Sequence, residues 1–295
     1  MGAAPLLTLL GTGTPIPDPA RRGPAQVVEI GDALVLIDAG SGVAQRLVEA
    51  GYGPLADQPL RPRLVRIAIT HLHSDHVLGL ADLLWTGWVM RWWDEPPALC
   101  GPPGTAALRD GLLAAFAEDV RVRTRGERLR REWLVPPVEE ITDGWQTEGN
   151  GWRLTAFAVD HAPVEHAFGF RLDADAGAVV VSGDTRPCEN LIRHAAAADL
   201  LVHEVYWREG ALRLRERATS DDERARRLTI ERYHTSSEEV GRVAAAAGVK
   251  RLVLSHILFR GGTPADLERD AALAYRGPIT VGADLQRFVL NGAPL

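Results

Sequence analysis

Short apolar runs alternate with segments of helical length along this chain. Leu6–Leu10, Gln26–Ile30 and Ala33–Asp38 read as strands separated by glycine and proline turns. Ser41–Gly51 predicts a helix closed by a glycine. Leu64–Thr70 is apolar and β-branched and ends at a histidine cluster. Ala81–Trp93 has helical length, Pro96–Gly104 interrupts it, and the Ala- and Leu-rich Thr105–Glu118 predicts a further helix. The second half repeats the pattern. Trp152–Val159 leads into His161, and Phe168–Leu172 with Ala178–Ser182 forms a short hairpin leading to Gly183-Asp184. Leu200–His203 ends at Glu204, Ser236–Ala247 predicts a helix, and Arg251–Ser255 ends at His256. Strands and helices alternating in both halves predict an α/β fold, with its chemical residues just past strand ends, where α/β sheets favour ligands. No low-complexity linker interrupts the pattern, so one domain over 1–295, built of two similar halves, is expected.

Composition narrows the partners. Of 295 residues, 46% are hydrophobic and 24% charged, which suits a globular protein. The formal charge of −6 argues against a dedicated nucleic-acid binder, while leaving room for a local basic patch. Lys250 is the only lysine, so nearly all positive charge is arginine. Cys100 and Cys188 make neither a disulfide framework nor a thiolate metal site. The first ten residues lack a basic n-region, and no stretch approaches the ~18–20 apolar residues of a membrane span. A cytoplasmic protein with no membrane partner is the expectation; a homodimer is left open.

His71, His73, Asp75 and His76 place four imidazole or carboxylate side chains within six positions. Imidazole and carboxylate are the usual ligands of zinc, manganese or iron at hydrolytic sites. Alternation along an extended segment would put His71, His73 and Asp75 on one side, leaving His76 free to turn towards a second ion.

The run His71-Leu72-His73-Ser74-Asp75-His76 resembles the HxHxDH signature of the metallo-β-lactamase superfamily. Later landmarks follow in that family's order: His161, Asp184 in Ser-Gly-Asp-Thr, His203-Glu204, His234 opening His-Thr-Ser-Ser, and His256 closing Leu-Val-Leu-Ser-His. Leu10-Gly11-Thr12-Gly13-Thr14-Pro15 and Leu36-Ile37-Asp38-Ala39-Gly40 also match. The motifs are similar to those of the branch that holds ribonuclease Z and its arylsulfatase-like and phosphodiesterase-like relatives. The resemblance implies a four-layer αββα metallo-β-lactamase sandwich and two divalent ions, with zinc expected and Mn2+ or Fe2+ as alternatives. It implies that His71, His73 and His161 hold one ion, that Asp75, His76 and His256 hold the other, and that Asp184 bridges them. The pair would share a hydroxide as nucleophile. His234 would donate to the departing oxygen, Glu204 would orient it or a metal-bound histidine, and Asp75 would complete the catalytic set. Asp38 is expected to brace the metal loop, His166 to line the mouth and His194 to lie on the surface.

Other signals are weaker. The Gly11–Pro15 turn lacks the third glycine of a dinucleotide fingerprint and the Gly-Lys-Ser/Thr of a P-loop. Trp85, Trp88 and Trp92 share a helical face, which suits core packing, or else an aromatic wall for a leaving group. Arg121–Arg131 is a basic run, and Arg208–Arg232 mixes arginine with acids as a solvated helix does.

Two departures from the ribonuclease Z pattern bear on substrate. The interval from His161 to Asp184 leaves no room for a long RNA-gripping arm, and Ile257-Leu258-Phe259-Arg260-Gly261 replaces the Ser-x-Arg-Tyr that usually follows the last histidine. The expectation is therefore a dinuclear hydrolase of a small ester (an arylsulfate, phosphodiester, carboxylic ester or lactone), with nucleic acid unfavoured as partner. A tRNA 3′-processing endonuclease is the alternative. A non-catalytic module is disfavoured because every expected ligand is present.

Overall fold

The structure, a computed structural model, describes residues 4–53 and 62–290. The first sheet is built from β1 (Leu6–Gly11), β2 (Ala25–Ile30), β3 (Ala33–Ile37), β4 (Arg63–Ala68), β5 (Ala98–Gly101) and β6 (Val138–Glu140). The second contains β7 (Gln146–Gly149), β8 (Trp152–Ala158), β9 (Phe168–Ala174), β10 (Gly177–Val181), β11 (Leu200–Tyr206), β12 (Leu252–Leu258) and β13 (Ile279–Val281). The last strand, β14 (Arg287–Val289), returns to the first sheet beside β1. Each sheet thus runs in chain order, β14-β1-β2-β3-β4-β5-β6 and β13-β12-β11-β10-β9-β8-β7. Both combine a parallel half (β3 to β6, β10 to β13) with antiparallel hairpins.

The central strands read as unbroken apolar runs because both of their faces are covered. In β3, Leu34 and Leu36 pack with the helix residues Leu47, Leu80 and Leu83, while Val35 and Ile37 face the second sheet. The helices over the first sheet are α1 (Val43–Glu49), α2 (Ser74–Val77), α3 (Gly79–Val89), α4 (Thr105–Ala115) and α5 (Ala117–Gly126). Over the second lie α6 (Glu189–His194), α9 (Ser237–Ala247) and α10 (Pro264–Ala271). Between them in sequence, α7 (Arg208–Glu216) and α8 (Asp221–Tyr233) form a helical hairpin. Three apolar layers, helix–sheet, sheet–sheet and sheet–helix, therefore make the αββα sandwich.

Helix boundaries depart from the sequence pattern where tertiary contacts intervene. The predicted Ala81–Trp93 helix spans Gly79–Val89, and Trp92 and Trp93 fold back beyond it. Trp93 Nε1 donates to the Trp133 carbonyl and Trp88 Nε1 to that of Arg130, both at 2.8 Å. Trp88, Trp92 and Trp93 are buried in the core, whereas Trp85 is half-buried and packs against its edge. The predicted Thr105–Glu118 helix breaks at Phe116, whose ring leans on Trp85. Among the described residues, no helix is long and apolar enough to cross a membrane.

Candidate metal centre

The turn after β4 carries the histidine motif, but not as an extended segment. His73 is the last extended residue, and Ser74–Val77 winds into the short helix α2, which turns Asp75 and His76 inward. Backbone approach fixes this turn. A Cβ on Gly79 would stand 2.1 Å from the Gly40 carbonyl oxygen, and one on Gly40 would stand 2.7 Å from that of Asp75. Only glycine permits such contact.

The remaining residues arrive at the ends of second-sheet strands: His161 after β8, Asp184 after β10, Glu204 within β11 and His256 within β12. His256 is the extra residue of a bulge. Glu204 pairs with Ser255 and Val205 with Ile257, so the register skips His256, which adopts a left-handed φ of 44°. A bulge re-aims its side chain, and here it swings the imidazole to 3.2 Å from Asp75 and 3.4 Å from Asp184.

Two separate donor sets result, with a third overlapping them. His71, His73, His161 and Asp184 offer atoms that all lie within 4.8 Å of one another, as do those of Asp75, His76 and His256, and those of Asp184, His234 and His256. In the first, His71 Nε2 is 2.9 Å and His161 Nε2 3.3 Å from His73 Nδ1, and each is 3.9 Å from Asp184 Oδ2. In the second, His76 Nε2 lies 3.4 Å from Asp184 Oδ1 and 3.7 Å from Asp75 Oδ2. Ligands at ~2.0–2.1 Å from a tetrahedral ion stand roughly 3.4 Å apart, so the spacing fits a metal in each set. His76 Nε2 and Asp184 Oδ1 are buried and have no hydrogen-bond partner, the expected state of atoms reserved for a cation.

The outer nitrogens are held by protein. His76 Nδ1 donates to Asp38 Oδ2 at 2.8 Å, and His161 Nδ1 to the Tyr233 carbonyl at 2.9 Å. His71 Nδ1 meets Thr70 Oγ1 at 3.0 Å, and Thr70 bonds Asp38 through both its backbone N–H and its hydroxyl. Such contacts fix the tautomer and the ring orientation of metal-binding histidines. Burial pushes His161 down to about 4 and lowers His71 and His73, favouring the neutral imidazole that binds metal. Burial opposes the charge on Asp184, but His256 and His76 outweigh it and hold the carboxyl well below its ordinary range.

His234 stands beside the cluster, with Nδ1 3.0 Å from Glu204 Oε1 and 3.9 Å from Asp184 Oδ2. The same Glu204 oxygen accepts the backbone N–H groups of Thr185 and Thr235 at 3.0 and 3.2 Å. Burial works against protonating His234, but Glu204 and then Asp184 raise it to about 9. Ser236, not His234, caps α9 through a capping box with Glu239.

The structure leaves other candidates outside the cluster. His166 is exposed beside Glu165. His203 is fully buried, with Nδ1 against the Glu204 carbonyl. His194 is half-buried and stacked on Phe157 at 4.5 Å, contrary to the surface expectation. Thr12 gives its N–H and hydroxyl to Asp284, so the Gly11–Pro15 turn is structural. Thr70, Thr185 and Thr235 escaped the sequence reading; adjacency to the motifs was their only signal.

Comparison with known proteins gives the family and the fold. Residues 34–257 match the family described as the Beta-lactamase superfamily domain. A ribonuclease Z from Mycobacterium bovis is 38% identical over 97% of this chain and 98% of that protein. Among solved structures, the metallo-β-lactamase fold protein YhfI from Bacillus subtilis superposes with a TM-score of 0.69 at 19% identity, covering 97% of this chain and 99% of that one. The short form of human tRNase Z gives 0.65 at 22% identity, with the same coverage. Fold and site together define a metal-dependent hydrolase of the metallo-β-lactamase fold. The chain belongs to the β-lactamase superfamily and, within it, to the ribonuclease Z family.

That membership corrects the expected partner. A small-molecule ester substrate with nucleic acid unfavoured does not stand against end-to-end similarity to ribonucleases. The physical reason is that a net charge of −6 sums over the whole surface, whereas a polyanion needs only a local cationic face.

Proposed function

We propose that this chain is a metal-dependent endoribonuclease that cuts a phosphodiester at the 3′ side of a precursor tRNA. The 38% identity to a ribonuclease Z along 97% of the chain carries the substrate class. His71, His73 and His161 would hold one ion, Asp75, His76 and His256 the other, and Asp184 would lie between them. An imidazole and carboxylate set without thiolate suits zinc. Bound there, the ion pair supplies Lewis acidity at the scissile phosphate and lowers the pKa of water towards ~7.

The protein's own work falls to His234 and Glu204. Glu204 Oε1, pinned by the backbone N–H groups of Thr185 and Thr235, fixes the His234 ring through Nδ1 and favours its protonated form. The opposite nitrogen, Nε2, is left to give its proton to the departing ribose oxygen. Asp75 and Asp184 would supply the negative charge that balances the cations, and Asp184 Oδ2 lies 3.9 Å from His234 Nδ1.

A precursor tRNA transcript with a 3′ trailer tests the reading. Cleavage at the acceptor-stem junction is expected, lost on chelation and restored by Zn2+. Metal-loaded protein that leaves the precursor intact while turning over small aryl esters would sink it.

A further inference from the structure

The α7–α8 hairpin is the one long excursion between Glu204 and His234, and packing does not account for its composition. Arg208 to Tyr233 contains eight arginines, six acids and no lysine. None of the 13 residues of α8 is buried, and α7 buries only Gly210 and Ala211. A small apolar contact of Ala211 and Ile230 with Tyr206 and Leu258 seats the hairpin on the body. Five arginines pair with carboxylates: Arg208 with Glu238, Arg213 with Glu209, Arg215 with Glu231, Arg224 with Asp221 and Arg227 with Glu223. Arg217, Arg226 and Arg232 are exposed and have no carboxylate within 4.0 Å among the described residues. The unpaired acids Glu216 and Asp222 lie at the hairpin's tip beside Arg217, whereas Arg226 sits near the middle of α8 and Arg232 at its base.

That base is fastened to the centre twice. Tyr233, the last residue of α8, accepts from His161 Nδ1, and His234 follows it directly. An anion lying along α8 is therefore led towards the donor and both ligand sets. We propose that the α7–α8 hairpin is an RNA-binding surface whose free guanidiniums, Arg217, Arg226 and Arg232, contact phosphates of the substrate outside the cleavage site. The proposal rests on the ribonuclease reading and adds where that substrate is gripped. The second arginine-rich surface, around Arg125, Arg128 and Arg131, is less well placed. Its chain continues into β6, the edge strand of the first sheet, two strands from the β4 that carries His71.

Steady-state cleavage of a precursor tRNA transcript by metal-loaded enzyme, from about 50 to about 200 mM salt, tests the assignment. The variant Arg217→Ala/Arg226→Ala/Arg232→Ala should raise KM about tenfold or more, with kcat within about twofold. The slope of log kcat/KM against log salt should become shallower by about two to three, close to one per lost phosphate contact. The corresponding triple lysine variant keeps the charges and should recover most of the KM. Arg217→Ala/Arg226→Ala, which spares the turn before His234, should shift KM and slope in the same direction by a smaller amount. Arg128→Ala/Arg130→Ala/Arg131→Ala should leave KM within about twofold. An unchanged KM and salt slope in both hairpin variants, or a loss confined to the Arg128 variant, overturns the proposal while leaving the ribonuclease reading intact. Wild-type enzyme that neither binds nor cuts the transcript overturns the ribonuclease reading, and this assignment with it.

Discussion

Asp38 and His76 meet through a 2.8 Å hydrogen bond from the imidazole Nδ1 to carboxylate Oδ2. Asp38 sits just after β3 at a φ of 60°, and its other oxygen accepts the Thr70 N–H at 2.8 Å. One carboxylate thus braces the start of the metal loop and presents the bare Nε2 of His76 towards Asp184. Asp38→Asn should weaken metal binding by about 10–100-fold, the usual effect of losing such a brace. Competition with a chromogenic chelator measures it, and unchanged affinity would leave Asp38 as no more than a turn residue.

Metal binding should be coupled to folding, because the two donor sets draw on both sheets. Chelation is expected to lower the thermal midpoint and abolish hydrolysis. Asp184→Ala should show a much smaller chelation shift and lose most activity, since among the described residues Asp184 has oxygens facing both sets. Scanning calorimetry with and without chelator reads this directly; equal shifts in the two proteins would contradict a shared ligand.

The His234–Glu204 pair should act as a unit. His234→Ala should lower kcat by roughly 10²–10⁴, the range for a lost proton donor. Glu204→Gln should recover part of that loss relative to Glu204→Ala, because an amide oxygen can still accept from Nδ1. Metal content should stay at the wild-type level in all three, as measured by elemental analysis. If metal is lost along with activity, His234 is a ligand and not a donor.

Asp199 offers a pH test away from the metals. It accepts the Ala178 N–H at 2.8 Å and the Lys250 ammonium at 2.7 Å, joining the starts of β10 and β11 to the turn before β12. Burial would raise its pKa, but Lys250 and the backbone donors outweigh burial and lower it. A depressed carboxylate contributes stability above its unfolded pKa of ~3.9, and the contribution is lost as pH falls through the folded value. Asp199→Asn should therefore destabilise the protein near neutrality, with the gap to wild type closing below about pH 4. Lys250 is largely exposed, so Lys250→Met should cost less. Urea titrations at several pH values decide this; a gap that persists at low pH would rule out the ionised carboxylate as its source.

Much of this protein was legible along the chain. The apolar runs of β3, β4, β11 and β12, the ligand types and their order, and the pairing of Glu204 with His234 all follow from local pattern and from resemblance. These depend on side-chain chemistry and short-range periodicity, which a sequence carries explicitly. Tertiary structure decided what depends on contacts between distant segments. The bulge at His256 exists because β12 must pair with β11 on both sides of one misfitting residue. The break at Phe116 comes with its ring leaning on Trp85, and Trp88 and Trp93 became core because carbonyls from Arg130 and Trp133 receive their N–H groups. The substrate inference failed for the same reason. Net charge and a missing arm are properties of the linear chain, whereas a polyanion responds to the local arrangement of charge, and which arginines pair with carboxylates is settled only when the helices are placed side by side.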